Sequence, residues 1–313
     1  MAKATYGIGP IGTYLGEEVL DNLSRADALD TNPDFLKSKI GTNTVRRKRA
    51  DQDTSDLAVE ALRALEAKGV DLSTLEAMVL VTQNPDGHGL PHTSAIVHEK
   101  MGLPLECATF DVSLGCSGFV YGLPILQGFL EMTGKSRGVL VTADPYSKVV
   151  DNDDRNTVLL FGDGAAATLV TRDAKPGQWT LVGGRYGSEG KGSDMLTVND
   201  DRVLFMNGRE VFNFAAVRVG REVKALMAEL GMEVADMDQL LLHQGSKYIV
   251  DSLARRLRAD PAKVPVAIGD VGNTVSSTIP LLLDGVTDEA IRRVLVCGFG
   301  VGFSYATAVL ERV

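Results

Sequence analysis

A pattern that occurs twice constrains this 313-residue chain more than any other feature. Gly69-Val-Asp-Leu-Ser-Thr-Leu-Glu-Ala-Met-Val-Leu80 reappears, position for position, as Gly231-Met-Glu-Val-Ala-Asp-Met-Asp-Gln-Leu-Leu-Leu242, and each copy follows an amphipathic helical pattern. Arg137-Gly-Val-Leu-Val-Thr142 is echoed by Arg292-Arg-Val-Leu-Val-Cys297, and Ala167-Thr-Leu-Val170 by Ala306-Thr-Ala-Val309. Three echoes in matching order indicate duplication. Buried apolar strands alternating with helices imply an α/β chain whose largely parallel sheet is covered on both faces. Two copies imply two stacked βα units with the site between them, divided here as residues 1–171 and 172–313.

Composition narrows the class. A chain of this length exceeds a typical single domain, and 44% hydrophobic residues suffice for a sizeable core. A net charge of −9 and the lack of a long basic run argue against nucleic acid as a partner. The three Cys cannot all pair and show no CxxC spacing, which fits a reducing compartment and no zinc site. Near Lys3 there is no apolar stretch of signal-peptide length, and no run approaches a membrane span. A soluble, cytoplasmic protein without a membrane partner is expected.

Along the chain, residues 4–14 read as a Gly-rich strand and turn, and 17–29 as an amphipathic helix. Residues 31–41 read as a short helix with Pro33 in its first turn and Gly41 at its end. The basic cluster Arg46-Arg-Lys-Arg49 reads as a solvated loop, with an anion site as the alternative. A helix over 53–68, a strand over 78–82, a loop over 85–91 and a helix over 93–101 follow. Strands are expected at 138–142, 158–161 and 165–171, the last two around a Gly162-Asp-Gly164 hairpin. Residues 175–207 read as a surface excursion between the halves.

Between the apolar strand Cys107-Ala-Thr-Phe-Asp-Val112 and a helix over 119–132 stands Ser113-Leu-Gly-Cys-Ser-Gly118. A thiol at such a strand-to-helix turn feels the positive helix end, which lowers its pKa and favours the nucleophilic thiolate. Taken alone, Cys116 reads more readily as a small core residue, because free Cys is among the most buried residue types. His243 directly follows Leu240-Leu-Leu242, and Asn273 lies in a turn leading into an apolar helix. Singly, these fit a structural histidine and a turn or N-cap residue. Together, at strand ends of two related units, Cys, His and Asn point to an acyl-transfer site. Gly298-Phe-Gly-Val-Gly-Phe303 is either a hairpin or a turn presenting N–H groups to an oxyanion.

With these stretches and Phe161-Gly-Asp-Gly-Ala165, Met206-Asn-Gly-Arg-Glu-Val-Phe212, His243-Gln244 and Gly272-Asn-Thr274, the sequence resembles the β-ketoacyl-acyl-carrier-protein synthase III family of thiolase-like condensing enzymes. The resemblance runs through nearly the whole chain in family order. It implies the duplicated five-layer (αβαβα) thiolase fold, a homodimer, and a place in fatty acid or polyketide biosynthesis. It implies no permanently bound cofactor, coenzyme A or acyl-carrier-protein thioesters as substrates, and the carrier protein as a partner. Cys116 would take an acyl group from a thioester, with the N–H groups of Cys116 and Val301 as oxyanion hole. His243 and Asn273 would hold a malonyl thioester carbonyl through decarboxylation, and Phe299 would exclude water from the departing carboxylate. Leu90 matches a position that reaches into the partner subunit's pocket.

The chain departs from housekeeping members where the carrier binds. Phe35 and Lys39 replace a tryptophan and an arginine, Lys247-Tyr248 stands where an arginine follows the His-Gln motif, and Asn213 replaces a lysine. Arg155 matches an arginine flanking the adenine of coenzyme A. A specialised paralogue is therefore expected over the primary fatty-acid initiator. The competing readings are an acyltransferase making an ester or amide from acyl-Cys116 without decarboxylation, a non-catalytic dimeric partner, and a Cys hydrolase. The last lacks an acidic orienter for His243, and a non-catalytic partner would be expected to have lost one of Cys, His and Asn.

Overall fold

The computed structural model describes residues 5–313, so Lys3 and the expected strand start at Ala4 lie outside the described residues. One mixed sheet runs through the molecule. In chain order its strands are β1 (Tyr6–Leu15), β2 (Ala77–Val81), β3 (Ala108–Val112), β4 (Arg137–Ala143) and β5 (Gly164–Arg172), then β6 (Trp179–Ser188), β7 (Gln239–Leu242), β8 (Arg293–Gly300) and β9 (Ser304–Arg312). Their order across the sheet is β7-β8-β9-β6-β1-β5-β4-β2-β3.

The two halves use one plan. β2 is parallel to β3 and β4, and β5 is antiparallel to β4 and β1. Likewise β7 is parallel to β8, and β9 is antiparallel to β8 and β6. The halves meet in one antiparallel pair, Ile8 with Trp179. The second half has no counterpart of β3, because residues 264–273 run without a strand.

Helices cover both faces. α1 (Thr54–Ala67) and α2 (Thr93–Met101) lie outside the first half, and α4 (Gly220–Leu230) and α5 (Lys247–Leu257) outside the second. α3 (Gly118–Thr133) and α6 (Thr278–Asp284) lie in the middle. Side-chain alternation makes this layering possible. Along β2, Ala77, Val79 and Val81 point to the central helices, while Met78 and Leu80 point to α1 and α2. Along β8, Val294 and Val296 point inward, while Leu295 and Cys297 point outward. The central core joins Phe119, Leu123 and Leu126 of α3 to Ile279 and Leu283 of α6. The result is the five-layer, duplicated thiolase-like arrangement.

Five expectations are corrected. Residues 17–29 are not a helix: Glu18–Asp21 pairs as a strand with Thr44–Arg47, and turns follow. Asp21 Oδ1 accepts from the N–H groups of Leu23 and Ser24, and buried Asn22 donates to Thr42 Oγ1 and Leu159 O. Such side-chain bonds compete with a helix. Thr44–Arg47, expected as a solvated loop, is the other strand of that ribbon. Val158-Leu-Leu-Phe161 forms turns, not a strand, because Asp154 accepts from Asn156 N and Thr157 Oγ1 and winds the chain. No hairpin forms at Gly162-Asp-Gly164, where the buried Asp163 carboxylate is held by Lys48 N and Ser147 instead. Finally, 175–207 is no surface excursion, since Trp179–Ser188 is β6 inside the sheet. Its glycines hide the strand signal but have a packing reason. A Cβ on Gly187 would lie 2.3 Å from Tyr305 Oη, so the ring of β9 occupies that space.

Candidate active site

The chain leaves β3 at Val112, turns through Ser113-Leu-Gly-Cys116, and enters α3 at Gly118 with Ser117 in the cap position. Gly118 N–H donates to Gly115 O at 2.7 Å and closes the turn. β8 passes directly over it. A Cβ on Gly298 would lie 2.5 Å from the Cys116 carbonyl oxygen, and one on Gly300 would lie 2.9 Å from Sγ. Only glycine lets this strand run so close to the thiol. The expected lowering of the thiol pKa is not what the enclosure produces. Cys116 is buried, and burial together with the nearby Asp144 carboxyl pushes its pKa up.

His243 follows β7, and its N–H donates to Cys297 O at 2.8 Å. The ring meets Phe299 edge-on, 5.4 Å between centroids at 88°. Its Nδ1 lies 2.8 Å from Thr278 Oγ1. Burial lowers its pKa to about 3, so the imidazole is neutral. Asn273 forms a parallel bridge with Phe161: its N–H donates to Leu160 O at 2.8 Å, and its carbonyl accepts from Gly162 N at 3.0 Å. Its Oδ1 accepts from Val275 N–H at 2.9 Å, which leaves the amide NH₂ as the group it can offer.

One cavity of about 650 Å³ is lined by Cys116, His243, Asn273, Phe299 and Gly300, and also by Phe35, Lys39 and Arg155. The expected site residues therefore come together, with two exceptions. Val301 packs on the apolar cluster that contains Cys116, one residue beyond the lining. Leu90 is 93% exposed on its loop and does not line this cavity. At the mouth, Lys39 Nζ sits 4.1 Å over the Tyr248 ring, which stacks on Phe212 at 5.0 Å. Arg155 Nη1 pairs with Asp30 Oδ2 at 3.0 Å.

Two residues around the site, Tyr146 in the lining and Thr278 behind His243, escaped the sequence reading. Tyr146 stacks on Phe161 at 4.8 Å and donates to Gln83 Oε1 at 3.2 Å, closing the wall beside Cys116. Tyr146 sits in an Asp-Pro-Tyr loop with no periodicity, and Thr278 lies within an ordinary helix start, so neither carried a signal. Among the described residues no His, Cys, Asp and Glu cluster could hold a metal, and no helix is long and apolar enough to cross a membrane.

A duplicated thiolase-like fold that brings Cys, His and Asn onto one cavity defines the class of condensing enzymes. Comparison with known proteins agrees. Residues 110–190 match the model of 3-oxoacyl-[acyl-carrier-protein] synthase III, and residues 227–312 match that of its C-terminal part. The chain is 33% identical to the β-ketoacyl-[acyl-carrier-protein] synthase III of Alkalilimnicola ehrlichii, over 96% of this chain and 97% of that protein. It is equally identical to the Streptococcus pneumoniae enzyme, over 97% and 98%. The crystal structure of the Pseudomonas aeruginosa synthase III superposes with a TM-score of 0.89 at 30% identity, covering 98% of each chain. A priming β-ketosynthase of the R1128 polyketide pathway superposes at 0.88 with 27% identity, covering 99% and 97%. The chain belongs to the 3-oxoacyl-[acyl-carrier-protein] synthase III family. It is a transferase that accepts an acyl group on cysteine and forms a carbon–carbon bond by Claisen condensation.

Proposed function

We propose that Cys116 is the acyl-accepting residue and that His243 and Asn273 activate a malonyl thioester. The observation that carries this reading is the single cavity lined by all three, with both donor residues held from behind. The Cys116 sulfur attacks the thioester carbonyl and gives up its proton. The N–H groups of Cys116 and Val301 stabilise the oxyanion, and the carrier leaves as a thiol. A malonyl thioester then enters, and its carbonyl oxygen accepts hydrogen bonds from His243 and Asn273. Loss of CO₂ leaves an enolate on that oxygen, where two fixed donors stabilise the new charge. Its carbon attacks the acyl-Cys116 carbonyl, and the sulfur departs to give the β-ketoacyl thioester. Phe299 excludes water beside His243 and disfavours the charged carboxylate over neutral CO₂.

Coenzyme A or carrier-protein thioesters are the proposed substrates, entering past Phe35, Lys39 and Arg155, with no cofactor bound permanently. The replaced cationic positions at Tyr248 and Asn213 favour a specialised pathway over primary fatty-acid initiation. The working unit is proposed to be a cytoplasmic homodimer in which Leu90 reaches the partner's pocket.

The test is mass mapping after exposure to a panel of acyl thioesters. An acyl adduct should form on Cys116, vanish in Cys116→Ala, and persist in Cys107→Ala and Cys297→Ala. An adduct on Cys107 or Cys297 would overturn the assignment. The acyl groups that label fastest identify the substrate.

A further inference from the structure

An acyl thioester that reaches Cys116 leaves its carrier trailing toward the mouth, where Phe35, Lys39 and Arg155 lie. A trigonal carbonyl carbon holds its two substituents apart, so the acyl chain points the other way, toward the inner wall. Tyr146 and Phe161 form that wall beside the thiol, and both are buried. Gln83 lies directly behind Tyr146 and does not line the cavity, so the phenol ring is the limit there.

The ring is held from several directions. Its face stacks on Phe161 at 4.8 Å and 27°, and its hydroxyl donates to Gln83 Oε1 at 3.2 Å. Phe161 is itself fixed by its bridge to Asn273. Gln83 has no room to retreat on its other side, because a Cβ on Gly115 would lie 2.4 Å from the same Oε1. The amide is thus wedged between the tyrosine and the residue that precedes Cys116. The 3₁₀ turn that carries Tyr146 is anchored as well. Ser147 N–H donates to buried Asp163 Oδ1 at 3.2 Å, and Lys148 Nζ to Pro85 O at 2.7 Å. A methionine at this place could re-pack around a longer chain, whereas a ring pinned at face and edge moves only if both contacts break.

We infer that Tyr146 is a specificity-determining residue, a rigid end stop that restricts the acyl group on Cys116 to short chains such as acetyl or propionyl. This deepens the proposed function and rests on it for Cys116 as the acyl acceptor. No bond to Tyr146 forms or breaks, and its ring acts by the space it fills. A medium-length chain has to displace the ring or stay short of the thiol.

The test measures adduct formation on Cys116 by mass spectrometry with acetyl, butyryl, hexanoyl and octanoyl thioesters of coenzyme A, in wild type, Tyr146→Leu and Tyr146→Phe. In wild type, octanoyl should label roughly tenfold to a hundredfold more slowly than acetyl, the usual loss when methylenes are pressed into a packed pocket. Tyr146→Leu should raise the octanoyl-to-acetyl ratio roughly tenfold or more. Tyr146→Phe keeps the ring on Phe161 and should leave the ratio close to the wild-type value. A merely structural role would slow every chain together and leave the ratio unchanged in all variants. Octanoyl labelling as fast as acetyl in wild type would overturn the inference, and that result needs no variant to fold. So would an unchanged ratio in Tyr146→Leu, or a ratio in Tyr146→Phe that matches Tyr146→Leu. No adduct on Cys116 with any thioester would remove the proposed function and the inference with it, whereas adducts of every length at one rate would remove the inference alone.

Discussion

Asp144 is a buried carboxyl beside Cys116 whose Oδ1 accepts from Gln83 N and Asn84 Nδ2, both at 3.1 Å, while Oδ2 has no partner. Burial raises its pKa from 3.8 to about 7. The sign follows from linkage. Above pH 7 the folded chain carries an enclosed charge, and as pH falls toward 4 it takes up a proton that the unfolded chain does not, so this group adds stability on acidification. His243 works in the opposite direction. Its pKa of about 3 means that the unfolded chain gains a proton first, and stability is lost as pH falls below about 6.5. Asp144→Asn removes the first effect and keeps the second. Its stability advantage over wild type should therefore shrink by about 2–3 kcal/mol between pH 8 and pH 5. Denaturant unfolding at both pH values checks this, and a pH-independent difference would place the Asp144 pKa in the ordinary range. At this scale, sequence showed what stands out locally. Cys116, His243 and Asn273 are polar groups at ends of apolar strands. Asp144, Tyr146 and Thr278 act through partners distant in sequence, so their roles became visible only in the fold.

Among the elements, α1 and the loop after β2 are tied through one carboxylate. Asp53 caps α1, with Oδ1 accepting from Thr54 N at 2.8 Å and Asp56 returning a bond to Asp53 N. The same Oδ1 accepts from Lys148 Nζ at 2.5 Å, and that ammonium also reaches the carbonyls of Asn84 and Pro85. Lys148 thus fastens the loop that carries Leu90. Asp53→Ala should cost about 2 kcal/mol, near 1 for the cap and a similar amount for the stranded ammonium. The urea midpoint should fall at unchanged slope, whereas Asp51→Ala on the open surface should leave it in place. Equal midpoints for wild type and Asp53→Ala would show that Lys148 finds another partner. The helix at Asp53 was legible because its period and cap agree. β6 was not, because Gly183, Gly184 and Gly187 replace the alternation that marks a strand, and their reason is the space taken by neighbouring side chains. The ribbon at Glu18–Asp21 was not legible, because its helical periodicity is outweighed by the turn that Asp21 and Asn22 build.

For the molecule as a whole, the repeat was the most legible feature, since Leu72–Thr74 and Val234–Asp236 form matching 3₁₀ turns before β2 and β7. β3 ends the sheet, its residues are only half-buried, and its Phe110 lies against Phe129 at 5.4 Å. With Leu90 exposed nearby in sequence, a second copy is the proposed cover, and sedimentation at micromolar concentration should give about twice the 33.4 kDa chain mass. A fully active monomer would contradict the dimer. The proposed mechanism divides the labour: Cys116 takes the acyl group, and Asn273 serves only the later charge development. That division is measured by ¹⁴CO₂ release from labelled malonyl thioester beside acyl-enzyme formation, in wild type, Asn273→Ala and Asn273→Asp. Both variants should still acylate Cys116, while CO₂ release falls ~10²–10³-fold, the typical loss for one such donor. Asp should be no better than Ala, because a carboxylate repels the enolate. Wild-type acylation without CO₂ release from any malonyl donor, but with ester or amide formation on an added nucleophile, would contradict it.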